Sequence, residues 1–191
     1  TKASHCLRDL LYLRDLDEMP AEFPVVIGNH LDLKPLVESH GISFVHLDTK
    51  SLSKIAVEEA ISKLAEEEKV DFLILARYMQ ILSPEFCNKF ANRIINIHHS
   101  FLPGFKGARP YHQAHDKGVK VIGATAHFVT SDLDEGPIIE QDVTRVNHAA
   151  SPEEFVAIGR DIERRLLSSA VKLFAEDRIF IVGNRTIVFS K

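Results

Sequence analysis

Cysteine is nearly absent: Cys6 and Cys87 are the two in 191 residues. They stand far apart with no CxxC spacing, which excludes a disulfide framework and a thiolate zinc site. A reducing, cytoplasmic setting is expected. Long apolar runs are also missing. "FLILA" (72–76) is far short of the ~20 residues that span a bilayer, and no signal-peptide pattern opens the chain. Nor is there an excess of positive charge. The 23 Lys and Arg are outnumbered by 27 Asp and Glu, the net charge is -4, and the two signs are interspersed. Neither nucleic acid nor an anionic membrane is therefore expected as a partner. What is present is 45% hydrophobic residues in a chain long enough for one domain with a sizeable core.

A regular alternation runs along that domain. "FPVVIG" (23–28) and "SFVHL" (43–47) are short strands flanking a helix, with Asp32 as its expected N-cap and Gly41 as its stop. Residues 52–69 carry Ile55, Ala56, Ile61 and Leu64 against a glutamate-rich face, the pattern of an amphipathic helix whose acidic side is solvated. "VDFLILA" (70–76) is apolar throughout, as a strand covered on both faces should be. After a short helix near "PEFCNKFA", "RIINIH" (93–98) is the next strand. Residues 110–118 form a helix ending at Gly118, and "KVIGATAHFV" (120–129) is a long strand with "GPIIEQDVTRV" (136–146) returning antiparallel to it. Ser151, Pro152 and Glu154 begin a helix of about 25 residues with a capping box, and residues 178–189 form a hairpin turning at Gly183-Asn184. The fold class expected is α/β, a doubly wound, mostly parallel sheet with a C-terminal hairpin. The first element, "SHCLRDLLYL", is a helix with no strand before it, so the chain is expected to start inside a longer protein.

"NIHHSFLPGFKGARP" (96–110) sets an Asn, two His and a Ser at the end of an apolar strand. Asn96 and His98 are two apart and leave the same face. His127 lies near the end of the next long strand, and "TSDLDEGPII" (130–139) brings Asp132, Asp134 and Glu135 into a tight loop just beyond. An amide can donate to a developing oxyanion, an imidazole can move a proton, and a carboxylate can orient that imidazole or hold a water. Attack on a carbonyl carbon is the chemistry these types serve. The blander reading is a capping Asn and a satisfied core His. Two rivals are weaker. Ser100 lacks the G-x-S-x-G elbow of a serine nucleophile. His98, His99, His112 and His115 could be arranged as a zinc site, but imidazoles on a short amphipathic helix explain the latter pair. No metal is expected.

These motifs, "NIHHSFLPGFKGARP" and "GATAHFVTSDLDEGPIIEQ", resemble the formyltransferase family that uses 10-formyltetrahydrofolate, over residues from about 4 to the C-terminus. The likeness is to its hydrolytic branch, which delivers the formyl group to water. The resemblance implies that Asn96, His98 and Asp134 are the catalytic set. It implies a substrate-binding set of Met79, Gln80, Ile81, Leu82, His127, Val129 and Thr130, with "ARYMQILS" (76–83) walling the pteridine site. Without it, that segment would be read as a strand end packing Met79 and Leu82 in the core. The small-molecule folate is then the substrate and no cofactor is needed.

Two departures separate this chain from family members that formylate a phosphorylated glycinamide. Those resemble "NIHPS", where this chain has His99, and they carry a Gly-rich turn suited to phosphate, where this chain has the glycine-free "TKASHCLRDL". His5 and Cys6 would crowd an amine. The resemblance implies an N-terminal regulatory ACT domain in the full-length protein, and nothing in residues 1–191 resembles one. The expected activity is hydrolysis of 10-formyltetrahydrofolate to formate and tetrahydrofolate, with water held by Asp134 and the oxyanion by His98 and Asn96. The alternatives are formyl transfer to an amine of the glycinamide ribonucleotide type and a folate-binding module without turnover. A homo-oligomer is expected from the apolar surface of the last helix and hairpin.

Overall fold

A computed structural model describes residues 2–104 and 109–189. The chain opens on helix α1 (His5–Asp15), followed by a parallel pair, β1 (Val25–Gly28) and β2 (Ser43–His46), joined through helix α2 (Lys34–Ser39). Asp32 is not the cap expected of it. It lies in a 3₁₀ turn, Leu31–Leu33, that runs straight into α2. Helix α3 (Lys54–Glu67) is capped by Ser53, whose hydroxyl accepts from the Ala56 N–H. Its faces differ from the expected ones: Ile55 is 67% exposed, whereas Glu58 is buried. The Glu58 carboxylate accepts from the backbone N–H and the hydroxyl of Ser83, the residue that caps helix α4 (Pro84–Lys89). That bonding compensates a charge which burial alone would penalise.

The central sheet runs β3 (Leu73–Leu75), β4 (Ile94–His98), β5 (Val121–Phe128) and β6 (Ile138–Arg145) in that order. β3 and β4 are parallel, whereas β4–β5 and β5–β6 are antiparallel. Helix α5 (Pro110–Asp116) precedes β5, and Gly118 supplies the left-handed turn after it. The long helix α6 (Pro152–Ala175) starts at Ser151 with the full reciprocal capping box. Strands β7 (Ile179–Val182) and β8 (Arg185–Val188) form the expected hairpin.

Strand alternation decides which residues meet. Ile95 and Ile97 of β4 and Ala124, Ala126 and Phe128 of β5 pack with Ile162, Leu166, Leu167 and Val171 of α6 in the main core. With a period of two, Asn96, His98, Thr125 and His127 must then face the other way. Ile94, on that second face, packs with Leu82, Phe86 and Phe90. A polar quartet thus sits on one face of a ladder whose opposite face is wholly apolar.

Candidate active site

Register brings the quartet together. Asn96 pairs with His127, and His98 with Thr125. Because β5 is antiparallel to β4, its end runs back past Asn96, so the groups meet across the ladder rather than at a shared carboxyl edge. The Asn96 Nδ2 lies 3.2 Å from His127 Nε2, and the His127 Nδ1–H donates to the Phe128 carbonyl at 2.7 Å. That bond fixes the tautomer, so a neutral His127 presents Nε2 as an acceptor and turns the amide NH₂ of Asn96 toward it. One N–H of Asn96 is used, and the amide has a second.

Asp134 comes from the loop between β5 and β6. It adopts a left-handed φ of 57°, a conformation that Asp tolerates better than most residues. Two residues on, a Cβ on Gly136 would lie 1.9 Å from the Phe128 carbonyl oxygen, so only glycine lets the loop press against the end of β5. The Phe128 N–H to Pro137 O bond, 2.9 Å, closes that contact. The result is an Asp134 Oδ1 that is 3.2 Å from His98 Nδ1 and 3.6 Å from His127 Nε2. His127, when its Nε2 carries a proton, and then His98 hold the Asp134 carboxyl well below the usual carboxylate range. It is ionised throughout the physiological range. His98 is buried, and its other ring nitrogen, Nε2, is a buried atom without a hydrogen-bond partner among the described residues. An oriented imidazole with one valence unused is the arrangement expected of a group that waits for a ligand.

The segment after β4 is held without using these groups. The Thr125 hydroxyl donates to Ser100 O and accepts from Leu102 N–H, each at 3.0 Å, and Gln141 donates to Thr125 Oγ1 and Leu102 O. The Ser100 hydroxyl donates to Gly104 O. That bond gives Ser100 a loop-fastening role and explains it without a nucleophile. Residues 105–108 of the same motif lie outside the described residues. His115 packs edge-on against Phe155 of α6, ring centroids 5.3 Å apart, which places it in the core packing rather than in a zinc set with His98.

The segment 76–83 divides in two. Met79 and Ile81 are 64% and 56% exposed, and Gln80 is exposed as well, whereas Leu82 is buried with Phe86 and Phe90. Met79 and Ile81 are therefore open apolar surface, and Leu82 is core. Val129 and Thr130 are half-buried at the end of β5, with Val129 N–H bonded to Ile94 O and Thr130 Oγ1 to Asp132 O.

A second polar cluster, which sequence reasoning did not find, lies beside the first. Glu163 of α6 is fully buried and accepts from His5 Nε2 at 2.7 Å, Tyr111 hydroxyl at 2.8 Å and Arg77 Nη1 at 3.2 and 3.3 Å. Gly159 makes room for it: a Cβ there would come within 2.1 Å of the Tyr111 ring. Burial pushes the Glu163 carboxyl up, but His5, Arg77 and Tyr111 together outweigh it and hold the group below its ordinary value. Burial, with the Glu163 charge, pushes the Cys6 thiol up to about 12, so it stays protonated. The ligand atoms of His5, Cys6 and Glu163 lie within 4.8 Å of one another, but a protonated thiol and a carboxylate already paired with a guanidinium fit a metal ion poorly. The clue available in the sequence was Glu163 itself, one helical turn from Gly159 on the stripe that also carries Ile162 and Leu166.

The sequence profile described as formyl transferase matches residues 1–171. The chain belongs to the formyl transferase family. It is 48% identical to the formyltetrahydrofolate deformylase of Synechocystis sp. over 190 residues, which is all of this chain and 66% of that protein. The chain thus spans just under two thirds of that relative. Among solved structures it is similar to a formyltetrahydrofolate deformylase from Burkholderia mallei, with TM-score 0.94 and 53% identity over 98% of this chain and 67% of that one. It is also similar to glycinamide ribonucleotide transformylase 1 from Symbiobacterium toebii, with TM-score 0.91 and 33% identity over 98% of this chain and 90% of that one. The family resemblance and the α/β fold expected from the sequence are both borne out. Within this formyl transferase fold no helix among the described residues is long and apolar enough to cross a membrane.

Proposed function

We propose that this formyl transferase family member hydrolyses 10-formyltetrahydrofolate to formate and tetrahydrofolate. The observation that carries the reading is the His98 ring, tied to Asp134 through Nδ1 and left with a buried Nε2 that has no partner among the described residues. The near 50% identity to proteins named formyltetrahydrofolate deformylase supports it over the whole length of the chain.

In this reading the formyl carbonyl lies between His98 Nε2 and the second N–H of Asn96. Both contacts to imidazole are made by Asp134 Oδ1, and Oδ2 orients the attacking water. As the water oxygen bonds to the formyl carbon, charge develops on the carbonyl oxygen and is met by the Asn96 amide and a protonated His98. Asp134 is too weak a base to keep the water's proton. The proton passes through the Asp134–histidine couple to the bridging folate nitrogen, and the C–N bond breaks once that nitrogen is protonated. A protonated His127 would give its Nε2–H to Asp134 rather than accept from Asn96, so the couple has two arrangements for one proton. No step calls on a metal or a cofactor, and thorough chelation is expected to leave turnover intact. Met79 and Ile81 offer the exposed apolar surface for the pteridine, with Gln80, Val129 and Thr130 beside them.

Residues 1–191 serve as one catalytic domain in this account. A cytoplasmic location fits the two free cysteines. Homo-oligomerisation is supported by Phe180, Val182, Ile187 and Phe189, all more than half exposed on the terminal hairpin. Given 10-formyltetrahydrofolate and no amine, the protein is expected to release formate and tetrahydrofolate catalytically and in equal amounts, without stimulation by glycinamide ribonucleotide. Turnover that waits for an amine, with the formyl group recovered on it, would replace this reading by transfer.

A further inference from the structure

The second cluster adjoins the catalytic set at His99. Leu75, the last residue of β3, pairs with Asn96, and Arg77 follows two residues later in the chain. Its left-handed φ of 62° turns the chain off the sheet there, and its guanidinium reaches Glu163. Cluster and catalytic set touch through His99. The His99 ring lies 5.2 Å from that of His98 and 6.5 Å, edge-on, from that of Tyr111, whose hydroxyl is bound to Glu163.

Three properties of this flank work against an amine. Space is filled by His5, Cys6, Arg77 and Tyr111 around a carboxylate with no exposure. Both Glu163 oxygens are taken, Oε1 by Tyr111 and Arg77 and Oε2 by His5 and Arg77, so no acceptor remains to hold an ammonium and draw off its proton. The Arg77 charge is felt at His99, next to the catalytic set, where it disfavours a second positive charge. Burial, with the Arg77 and His98 charges, lowers His99 to about 4, so it is neutral. Water is small and uncharged and meets none of these objections.

We propose that Arg77 and His5, locked in place by Glu163, are specificity-determining residues that close this flank to primary amines and reserve the formyl carbon for water. The inference rests on the hydrolytic reading above. It predicts that the acceptor is chosen by what fills the flank and not by the catalytic set, which serves water and amine alike.

The test is a product ratio. Protein is given 10-formyltetrahydrofolate with glycinamide, a small amine, and formate and formylglycinamide are measured by mass spectrometry. The parent is expected to yield formate with only a trace of formylglycinamide. The double variant His5→Gly/Arg77→Gly is expected to raise the share of formylglycinamide at least about tenfold. A folded double variant with the parent's ratio overturns the proposal. Should the uncompensated Glu163 prevent folding, His5→Ala keeps the Arg77–Glu163 pair, and it is expected to raise the same ratio by a smaller factor. An unchanged ratio there overturns the proposal as well. An amine-free arm separates the two readings: a parent that releases no formate on its own refutes hydrolysis, whereas parent hydrolysis with an unmoved ratio in the folded variants refutes this inference alone.

Discussion

Two carboxylate–histidine constellations lie side by side in this chain. Asp134 meets His98 and His127, and Glu163 meets His5, Arg77 and Tyr111. Both carboxylates are held ionised by their neighbours. They differ in what is left over. Around Glu163 both carboxylate oxygens are used, and a guanidinium balances the charge. Around Asp134 the His98 Nε2 is unused and Asn96 has a second N–H to give. Glu163 is filled on both oxygens, although Arg77 Nε beside it also lacks a partner among the described residues, whereas the open His98 Nε2 and the spare Asn96 N–H leave the second set able to hold a ligand. Left-handed backbone occurs in both, at Arg77 and at Asp134, but only the Asp134 loop depends on a glycine, Gly136, to close against a strand end.

The sharpest way to break the contrast is to neutralise each carboxylate in turn. Asp134→Asn should lower turnover by about 10³–10⁴-fold, since it removes both the orienting acceptor of His98 and the ionised partner of an imidazolium. Folding should survive within about 1 kcal/mol, because Asn keeps the shape and tolerates left-handed backbone. Formate release and a thermal melt read the two sides; near-normal turnover would remove Asp134 from the mechanism. Glu163→Ala should do the reverse in kind. It strands the Arg77 charge and is expected to cost about 3–5 kcal/mol of unfolding free energy in a urea titration. A loss below ~1 kcal/mol would show that Glu163 does not lock the cluster in place.

Next comes Asn96→Ala, expected to lower kcat by about 10²–10³-fold while KM moves far less, because its bond forms with charge that appears in the transition state. A loss confined to KM would contradict that role. The smallest effect belongs to His99, which joins the two regions. A ring held at about 4 rather than the ordinary 6.5 favours the neutral form in the folded state. Its contribution of about 3 kcal/mol is complete above pH 6.5 and is lost as pH falls toward 4. The parent should therefore lose more stability over that interval than His99→Gln, and equal slopes in the two melts would contradict the burial argument.

How far the sequence revealed this depends on whether a residue's partners are near it in the chain. Asn96 and His98 announced themselves by spacing on one strand, and the Asp134 loop by its Gly and Pro. The Ser151 capping box and the turn at Gly183-Asn184 are local chemistry and were legible for the same reason. Glu163 was not, because its partners come from residues 5, 77 and 111 and only tertiary packing unites them. Glu58 and Ile55 were misjudged on the same ground: a glutamate in an acidic helix gives no local sign that Ser83 will bury it. The antiparallel pairing of β4 and β5 likewise depends on the return path between them, so the meeting of Asn96 and His127 across the ladder was not legible from spacing.

The central claim is that water attacks the formyl carbon within the Asn96–His98–Asp134 set. It is tested most directly by running the reaction in ¹⁸O-labelled water without any amine and weighing the formate. Formate keeps one oxygen from the formyl group and gains the other from its attacker, so the account predicts one ¹⁸O in each formate, formed in step with tetrahydrofolate. Unlabelled formate, or none until an amine is added, would contradict it.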